Sequence, residues 1–487
     1  MSDDLTRFSA AALADGYRAK QFSPVEVADA VLARIDDIDG NLNAFCHRDD
    51  ETVRAMAQAS EERWNKGEPL GPVDGVPVSV KDVLRLKGWP TRLGSKTVDA
   101  KQAWDTDSPS VQRMREAGAV FLGMTTTPEM GWKGVTDCPL YGVTRNPWNI
   151  RMTPGGSSGG AAAAVACGMG PLGFGTDGGG SVRIPAGFSG IVGMKPTFGR
   201  VPIWPPSAFG LLSHVGPMAR TVEDAAIMLN VIGKPDSRDA WSLRDDGTDY
   251  VTALDHDVTG LRIAWSPDLG FVRVDPEIAR LTEEAARRFE ELGATVETVS
   301  PGFDNPAESF RTLWYAAAAQ AIRTESRARR RFLDFGLSTI AEEGESISAM
   351  DWLVADRARN ELGAHMAAFH ERYDLLLTPT LPLPAFESGL EVPSGWPHER
   401  WFTWTPFTYP FNMTRQPALT VPCGFTESGL PVGLQIVGAR GDDARVMAAG
   451  HAYQKAHSLL DRWPEAGRVA VSVEPQIVDK SDEMATK

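Results

Sequence analysis

From residue 1 to about 70, apolar residues recur every three or four positions. Val27, Val31, Leu32, Ile35 and Ile38 share one helical face. Just upstream, Ser23-Pro24-Val25-Glu26 offers an N-cap serine, a proline at the first helical position and a capping-box glutamate. A second amphipathic helix is predicted over 51–65. Between about 71 and 235 the pattern changes: short apolar runs alternate with helices and glycine-rich turns. Strands are expected at 76–80, 119–124, 171–175 and 191–195, and helices at 109–117 and 161–168. Such alternation predicts a largely parallel sheet covered on both faces.

From about 236 to 462, strands at 258–266 and 294–299 flank an acidic helix over 275–292. Helices follow around 307–337 and 349–371, then a strand at 375–379. The segment 395–412 is aromatic, with Trp396, Trp401, Phe402, Trp404, Phe407, Tyr409 and Phe411. Segments 417–423 and 432–437 read as a strand pair, and 444–456 as a last helix. Residues 463–487 are polar and read as a tail. The expected organisation is an N-terminal helical segment (1–70), a core (71–235), the remainder of the same α/β domain (236–462) and that tail.

Composition narrows the function classes. In 487 residues, 49 basic side chains face 64 acidic ones, a formal charge of −15. With no local basic patch apparent, nucleic acid is not an expected partner. Apolar residues at 42% exclude disorder for the bulk of the chain. Cys46, Cys138, Cys167 and Cys423 are far apart and form no CxxC pair, which points to a reducing compartment and away from a zinc cage. The first residues, MSDDLTRFSA, carry acids where a signal peptide needs a basic start. No apolar run approaches the roughly 18 residues of a membrane span. The expectation is a cytoplasmic protein without a membrane partner.

Candidate chemistry lies in two glycine–serine clusters and one lysine. The clusters are Thr153-Pro154-Gly155-Gly156-Ser157-Ser158-Gly159-Gly160 and Gly175-Thr176-Asp177-Gly178-Gly179-Gly180-Ser181-Val182-Arg183-Ile184-Pro185-Ala186. Gly173 to Gly178 formally matches GxGxxG. A dinucleotide site, however, needs a helix directly after it and an acid about 20 residues on. Pro185 is expected to interrupt that helix, and no acid lies between Asp177 and Glu223. Neither cluster holds the lysine of a P-loop. Glycines before a serine instead let successive N–H groups face one concavity, where an oxyanion can be stabilised. The serine then needs a base. None of the eight histidines adjoins a cluster in sequence, though a spatial neighbour stays open. Lys81 ends the apolar run Val76–Val80; desolvation there favours a neutral amine that can accept a proton.

Together with Gly75-Val76-Pro77-Val78-Ser79-Val80-Lys81-Asp82 and the segment from Asn412 to Gly438, these clusters resemble the amidase signature family. The likeness spans roughly residues 5–462, and Ser181 follows Ser157 by 24 residues, the family's usual separation. It implies a single large α/β domain with a mixed, largely parallel twisted sheet. It also implies a Ser-cisSer-Lys triad that works through an acyl-enzyme, without metal or organic cofactor. Ser181 would be the nucleophile, Ser157 the bridging serine and Lys81 the base. The amides of Gly178, Gly179, Gly180 and Ser181 would form the oxyanion hole. Ser158 would support the network, and Asp177 and Arg183 would brace the nucleophile loop.

The usual GKTN turn of the family appears here as Gly123-Met124-Thr125-Thr126. The glutamine-dependent amidotransferase members of the family usually carry threonine where this chain has Gly178, and often glutamine where it has Ile184. The expected activity is therefore a free-standing amidase for hydrophobic or aryl acyl amides, with cyclic or oligomeric amides, anilides and carbamates as close alternatives. Met130, Gly131, Trp132, Trp204 and Trp404 are candidate substrate contacts, while plain core packing stays open for the aromatic segment. The rivals are the ammonia-supplying subunit of a multi-protein amidotransferase and a binding module that lost its chemistry. The resemblance also allows a homodimer.

Overall fold

The computed structural model describes residues 4–465. Most of the expected tail, residues 466–487, lies outside the described residues. The strands in chain order are β1 (Phe45–His47), β2 (Pro77–Lys81), β3 (Val120–Thr125), β4 (Asp137–Cys138), β5 (Gly142–Val143), β6 (Leu172–Asp177), β7 (Val192–Lys195), β8 (His214–Ala219), β9 (Arg262–Trp265), β10 (Thr295–Thr298), β11 (Leu375–Pro379), β12 (Ala418–Phe425) and β13 (Pro431–Gly438). All but β4 and β5 form one eleven-stranded sheet, in the order β1-β3-β2-β6-β8-β7-β12-β13-β11-β9-β10. Residues 1–70, 71–235 and 236–462 each contribute strands to it, so the α/β domain is single.

The sheet is not largely parallel. β2 runs parallel to β3 and β6, and β9 runs parallel to β10 and β11. The other six pairings are antiparallel. Two of those six pairings come from β8, a strand with no counterpart among those predicted. The alternation through β6, the helix Arg183–Ser189 and β7 does set two strands in one direction. β8 then returns between them and pairs antiparallel with both. Its sequence, His214-Val215-Gly216-Pro217-Met218-Ala219, hides it, because glycine and proline erase the usual strand signal.

The helices are close to expectation at the N-terminus. Pro24–Leu42 starts with the predicted capping box at Ser23 and Glu26, and Val27, Val31, Leu32, Ile35 and Ile38 are all buried. Two expectations fail. Pro185 does not interrupt a helix: it is the third residue of Arg183–Ser189, in the first turn, where no intrahelical N–H bond is lost. The helix expected around 307–337 is three: Ala307–Ile322, Arg327–Arg330 and Phe335–Glu345. Ser326 and Asp334 restart them from extended conformations; the Asp334 carboxylate caps the Leu337 N–H at 3.2 Å.

Two large apolar cores result, with two smaller clusters beside them. The larger lies along the sheet, and a second, aromatic one packs Trp132, Phe188, Phe310, Trp314, Trp401 and Trp404 around the C-terminal ends of β2 and β6. Trp463, at the start of the expected tail, is held under the Arg220 guanidinium, 3.7 Å from its ring centroid. No helix among the described residues is long and apolar enough to cross a membrane.

Candidate active site

β2 is buried along its whole length and ends at Lys81, so the lysine side chain enters the interior. Its Nζ lies 2.6 Å from Ser157 Oγ, 2.9 Å from Ser158 Oγ and 2.8 Å from Thr176 Oγ1. Burial pushes the Lys81 amine well below the usual lysine range, and the Asp177 carboxylate opposes that shift only in part.

Ser157 and Ser158 sit where the first glycine cluster turns into the helix Gly159–Ala166. The Gly156–Ser157 peptide is cis. Ser158 occupies the N-cap position, yet its hydroxyl caps nothing. It accepts from Lys81 and from the Thr176 N–H at 3.2 Å, and donates to the Thr176 carbonyl at 3.3 Å. The positive end of this helix beside the amine also favours its neutral form. Small residues are required here: a Cβ on Gly160 would lie 2.4 Å from Thr126 Oγ1 and 2.6 Å from the Ala44 carbonyl.

The second cluster leaves β6 at Asp177. Its carboxylate accepts from the Gly180 N–H at 2.7 Å and the Val182 N–H at 3.2 Å. Arg183 binds both carboxylate oxygens at 3.0 Å, and neither side chain is exposed. Burial alone would raise the Asp177 carboxyl, but the Arg183 charge and hydrogen bonds hold it well below the carboxylate range. Arg183 in turn reaches the Thr408 carbonyl at 2.9 Å, Gln435 Oε1 at 2.7 Å and Asn412 Oδ1 at 2.6 Å. The Ser158 N–H donates to the Ser181 carbonyl at 3.2 Å, joining the two clusters. Sequence reading missed Thr176, Thr408, Asn412 and Gln435. Gln435 carried a signal, since a lone amide inside Val432–Val437 must find a buried partner.

One expectation for the loop needs correcting. The Gly180 N–H is committed to Asp177, so it is not free for a substrate oxygen. The N–H groups of Gly178, Gly179 and Ser181 have no backbone acceptor among the described residues.

A cavity of about 590 Å³ opens over Ser157 and Ser181. Met130, Gly131 and Trp204 line it. Trp132 and Trp404 do not. Trp132 is buried beside it and accepts the Trp314 Nε1–H at 3.1 Å through its carbonyl. Trp404 stacks on Phe188 with centroids 5.9 Å apart and bonds the Glu391 carbonyl, so it is core. The aromatic wall comes instead from Trp314 and Phe209, stacked 3.9 Å apart.

His214 also reaches the site, behind Asp177. Its Nδ1 lies 3.1 Å from the Asp177 carbonyl and 2.9 Å from that of Leu212. Burial, and then the neighbouring Lys195, keep it well below the usual histidine range, and its Nε2 lies 3.5 Å from Lys195 Nζ. It is a neutral support of the loop. Among the described residues, no group of three or more His, Cys, Asp or Glu side chains is placed to hold a metal ion.

A buried lysine is joined to two serines with a glycine loop beside them, and the chain belongs to the amidase family, which it matches over residues 26–447. It is an amide-hydrolysing enzyme. It is 40% identical over 464 residues to an acylamidase of Rhodococcus erythropolis, covering 94% of this chain and 97% of that one. It is 36% identical to the A component of the glutamyl-tRNA(Gln) amidotransferase of Chloroflexus aurantiacus, covering 93% and 96%. Among solved structures, it superposes on a bacterial aryl acylamidase of the amidase signature family with a TM-score of 0.88 at 33% identity, over 95% and 99% of the chains. A 6-aminohexanoate cyclic dimer hydrolase gives 0.86 at 28% identity, over the same shares.

Proposed function

We propose that this chain is a free-standing amidase of hydrophobic or aryl acyl amides, working through Lys81, Ser157 and Ser181. The observation that carries the reading is the Lys81 amine, buried, pushed well below the usual lysine range and 2.6 Å from Ser157 Oγ. As Ser181 Oγ attacks the amide carbonyl, its proton passes to Ser157 Oγ, whose own proton passes to Lys81 Nζ. The oxyanion is met by the free amides of the loop, those of Gly178, Gly179 and Ser181. The relay runs backward to protonate the departing nitrogen, without which an amine does not leave. An acyl-enzyme on Ser181 remains. Water then attacks the ester carbonyl, the same chain takes its proton, and the carboxylic acid is released with Ser181 restored.

Substrate class follows from the wall. Met130, Ile203, Trp204, Phe209 and Trp314 surround the serines with apolar and aromatic surface. This supports an aryl or hydrophobic acyl group over glutamine. The four cysteines are unpaired, which supports a reducing, cytoplasmic setting.

The test is hydrolysis of a panel by wild type and Ser181→Ala. The panel holds glutamine, alkyl amides, anilides, an aryl carbamate and a cyclic amide dimer. Cleavage of hydrophobic amides, lost in the variant, is the expected result. Glutaminase activity alone would assign the chain to the amidotransferase class, and full activity in Ser181→Ala would overturn the triad.

A further inference from the structure

The cavity is apolar at its floor and cationic at its mouth. Arg85 and Arg323 both line it, both are exposed, and neither has a carboxylate partner among the described residues. Arg85 follows β2 by four residues and lies over the Trp204 ring, 5.2 Å from its centroid. Arg323 is the C-cap of Ala307–Ile322, on the helix that carries Trp314. The neutral amides of Gln102 and Gln320 stand in the same lining. The only acid in the lining is Asp177, whose charge is consumed by Arg183.

The surroundings extend this pattern. Residues 83–104 hold Arg85, Lys87, Arg92, Lys96 and Lys101 against one acid, Asp99. Residues 320–331 hold Arg323, Arg327, Arg329, Arg330 and Arg331 against one acid, Glu325. These segments touch, because Arg329 donates to the Thr97 carbonyl. In a chain of net charge −15 they make a locally basic region, although Arg329 and Arg330 are paired with Glu325 and Glu345, and Asp82, Asp105 and Asp107 adjoin the first segment. It frames a cavity that ends at two serines, and this geometry suits a small anion better than an extended phosphate backbone.

We infer that the mouth selects amides bearing a carboxylate at the end remote from the scissile bond. The inference rests on the amidase reading and sharpens its substrate class: aryl or alkyl around the carbonyl, anionic at the far end. Two physical effects act together. Low-dielectric walls focus the field of the mouth and raise the encounter rate of anions. Once bound, a carboxylate between Arg85 and Arg323 accepts charge-assisted hydrogen bonds in place of water.

The experiment compares matched 4-nitroanilides. In each pair, the acyl chain ends in methyl or in carboxylate, over a ladder of chain lengths. The readout is the ratio of kcat/KM, acid over neutral, in low and high salt. Wild type should favour the acid by about tenfold in low salt at the best length, and salt should erode the preference. Arg85→Gln and Arg323→Gln should each lower the ratio by about two- to fivefold, the range of a partly exposed ion pair. Arg357→Gln, which removes a charge outside the cavity lining, should leave the ratio alone. A double Arg85→Glu/Arg323→Glu variant should prefer a chain ending in an amine. The salt series needs no variant, so a folding defect cannot mask the result. Hydrolysis of the neutral anilides with no acid preference, or with a preference insensitive to salt, overturns the anionic mouth and leaves the amidase. Hydrolysis of no amide at all refutes the amidase reading, and the mouth falls with it.

Discussion

Asp177→Asn replaces the buried carboxylate of the nucleophile loop with a group of nearly equal shape. Only one of the Gly180 and Val182 N–H groups keeps an acceptor, because they donate to different carboxylate oxygens, and Arg183 keeps its charge with no exposure and no counter-ion. Breaking a buried pair from one side costs about 3–5 kcal/mol. A domain of this size unfolds with an entropy of about 1 kcal/mol/K, so the midpoint should fall by about 3–5 °C. The pH dependence has a fixed sign. The folded Asp177 pKa is depressed, so its contribution is full above the unfolded value of about 4 and is lost as pH falls through the folded value. The gap in Tm between wild type and variant should therefore be constant at neutral pH and close only below about pH 4. In the double variant with Arg183→Met, the two losses should fail to add by about 2 kcal/mol or more. The assay is thermal and urea unfolding of the four proteins across pH. An Asp177→Asn midpoint equal to wild type, or a gap flat down to about pH 3, would refute the loop's dependence on this pair.

Lys81→Met should cut turnover by about three orders of magnitude or more while the protein still folds, read by anilide hydrolysis and circular dichroism. The wild-type kcat/KM should climb with pH through the lowered Lys81 value and level off well below the normal lysine range; a climb only at about pH 10 contradicts a neutral base. Trp404→Ala should lower stability by about 3–5 kcal/mol in urea unfolding and leave the ranking of substrates unchanged, because the ring is core. Trp314→Leu should change the ranking of aryl against alkyl amides by about tenfold in a kcat/KM panel, since its ring faces the cavity.

Local signals were readable where one element settles the matter. The Ser23 capping box and the apolar stripe behind it predict Pro24–Leu42 because both work within one helix. Lys81, Ser157 and Ser181 stand out because glycine runs and a lysine ending a strand are unusual local choices. What was hidden depends on partners far along the chain. β8 becomes a strand only because β6 and β7 leave a slot for it, despite Gly216 and Pro217. Trp404 and Trp314 look alike as residues; only the packing sends one to the core and the other to the cavity. The Gly180 amide reads as free until the Asp177 carboxylate is placed 2.7 Å away. Arg85 and Arg323 belong to separate elements, and nothing in either one announces that they meet at the same opening.

The anchors of Arg183 have a consequence for biosynthesis. Thr408, Asn412 and Gln435 follow Arg183 by 225, 229 and 252 residues. A growing chain that has left the ribosome through Ser189 already contains the lysine and both serines. Its arginine still lacks the carbonyl and the two amides that hold it from the far side. The serine loop can therefore be locked only after β13 has been made and has joined the sheet. On the proposed reading, reactivity is in this way tied to completion of the fold, and a product truncated before residue 408 carries the three side chains of the proposed triad without the means to set them.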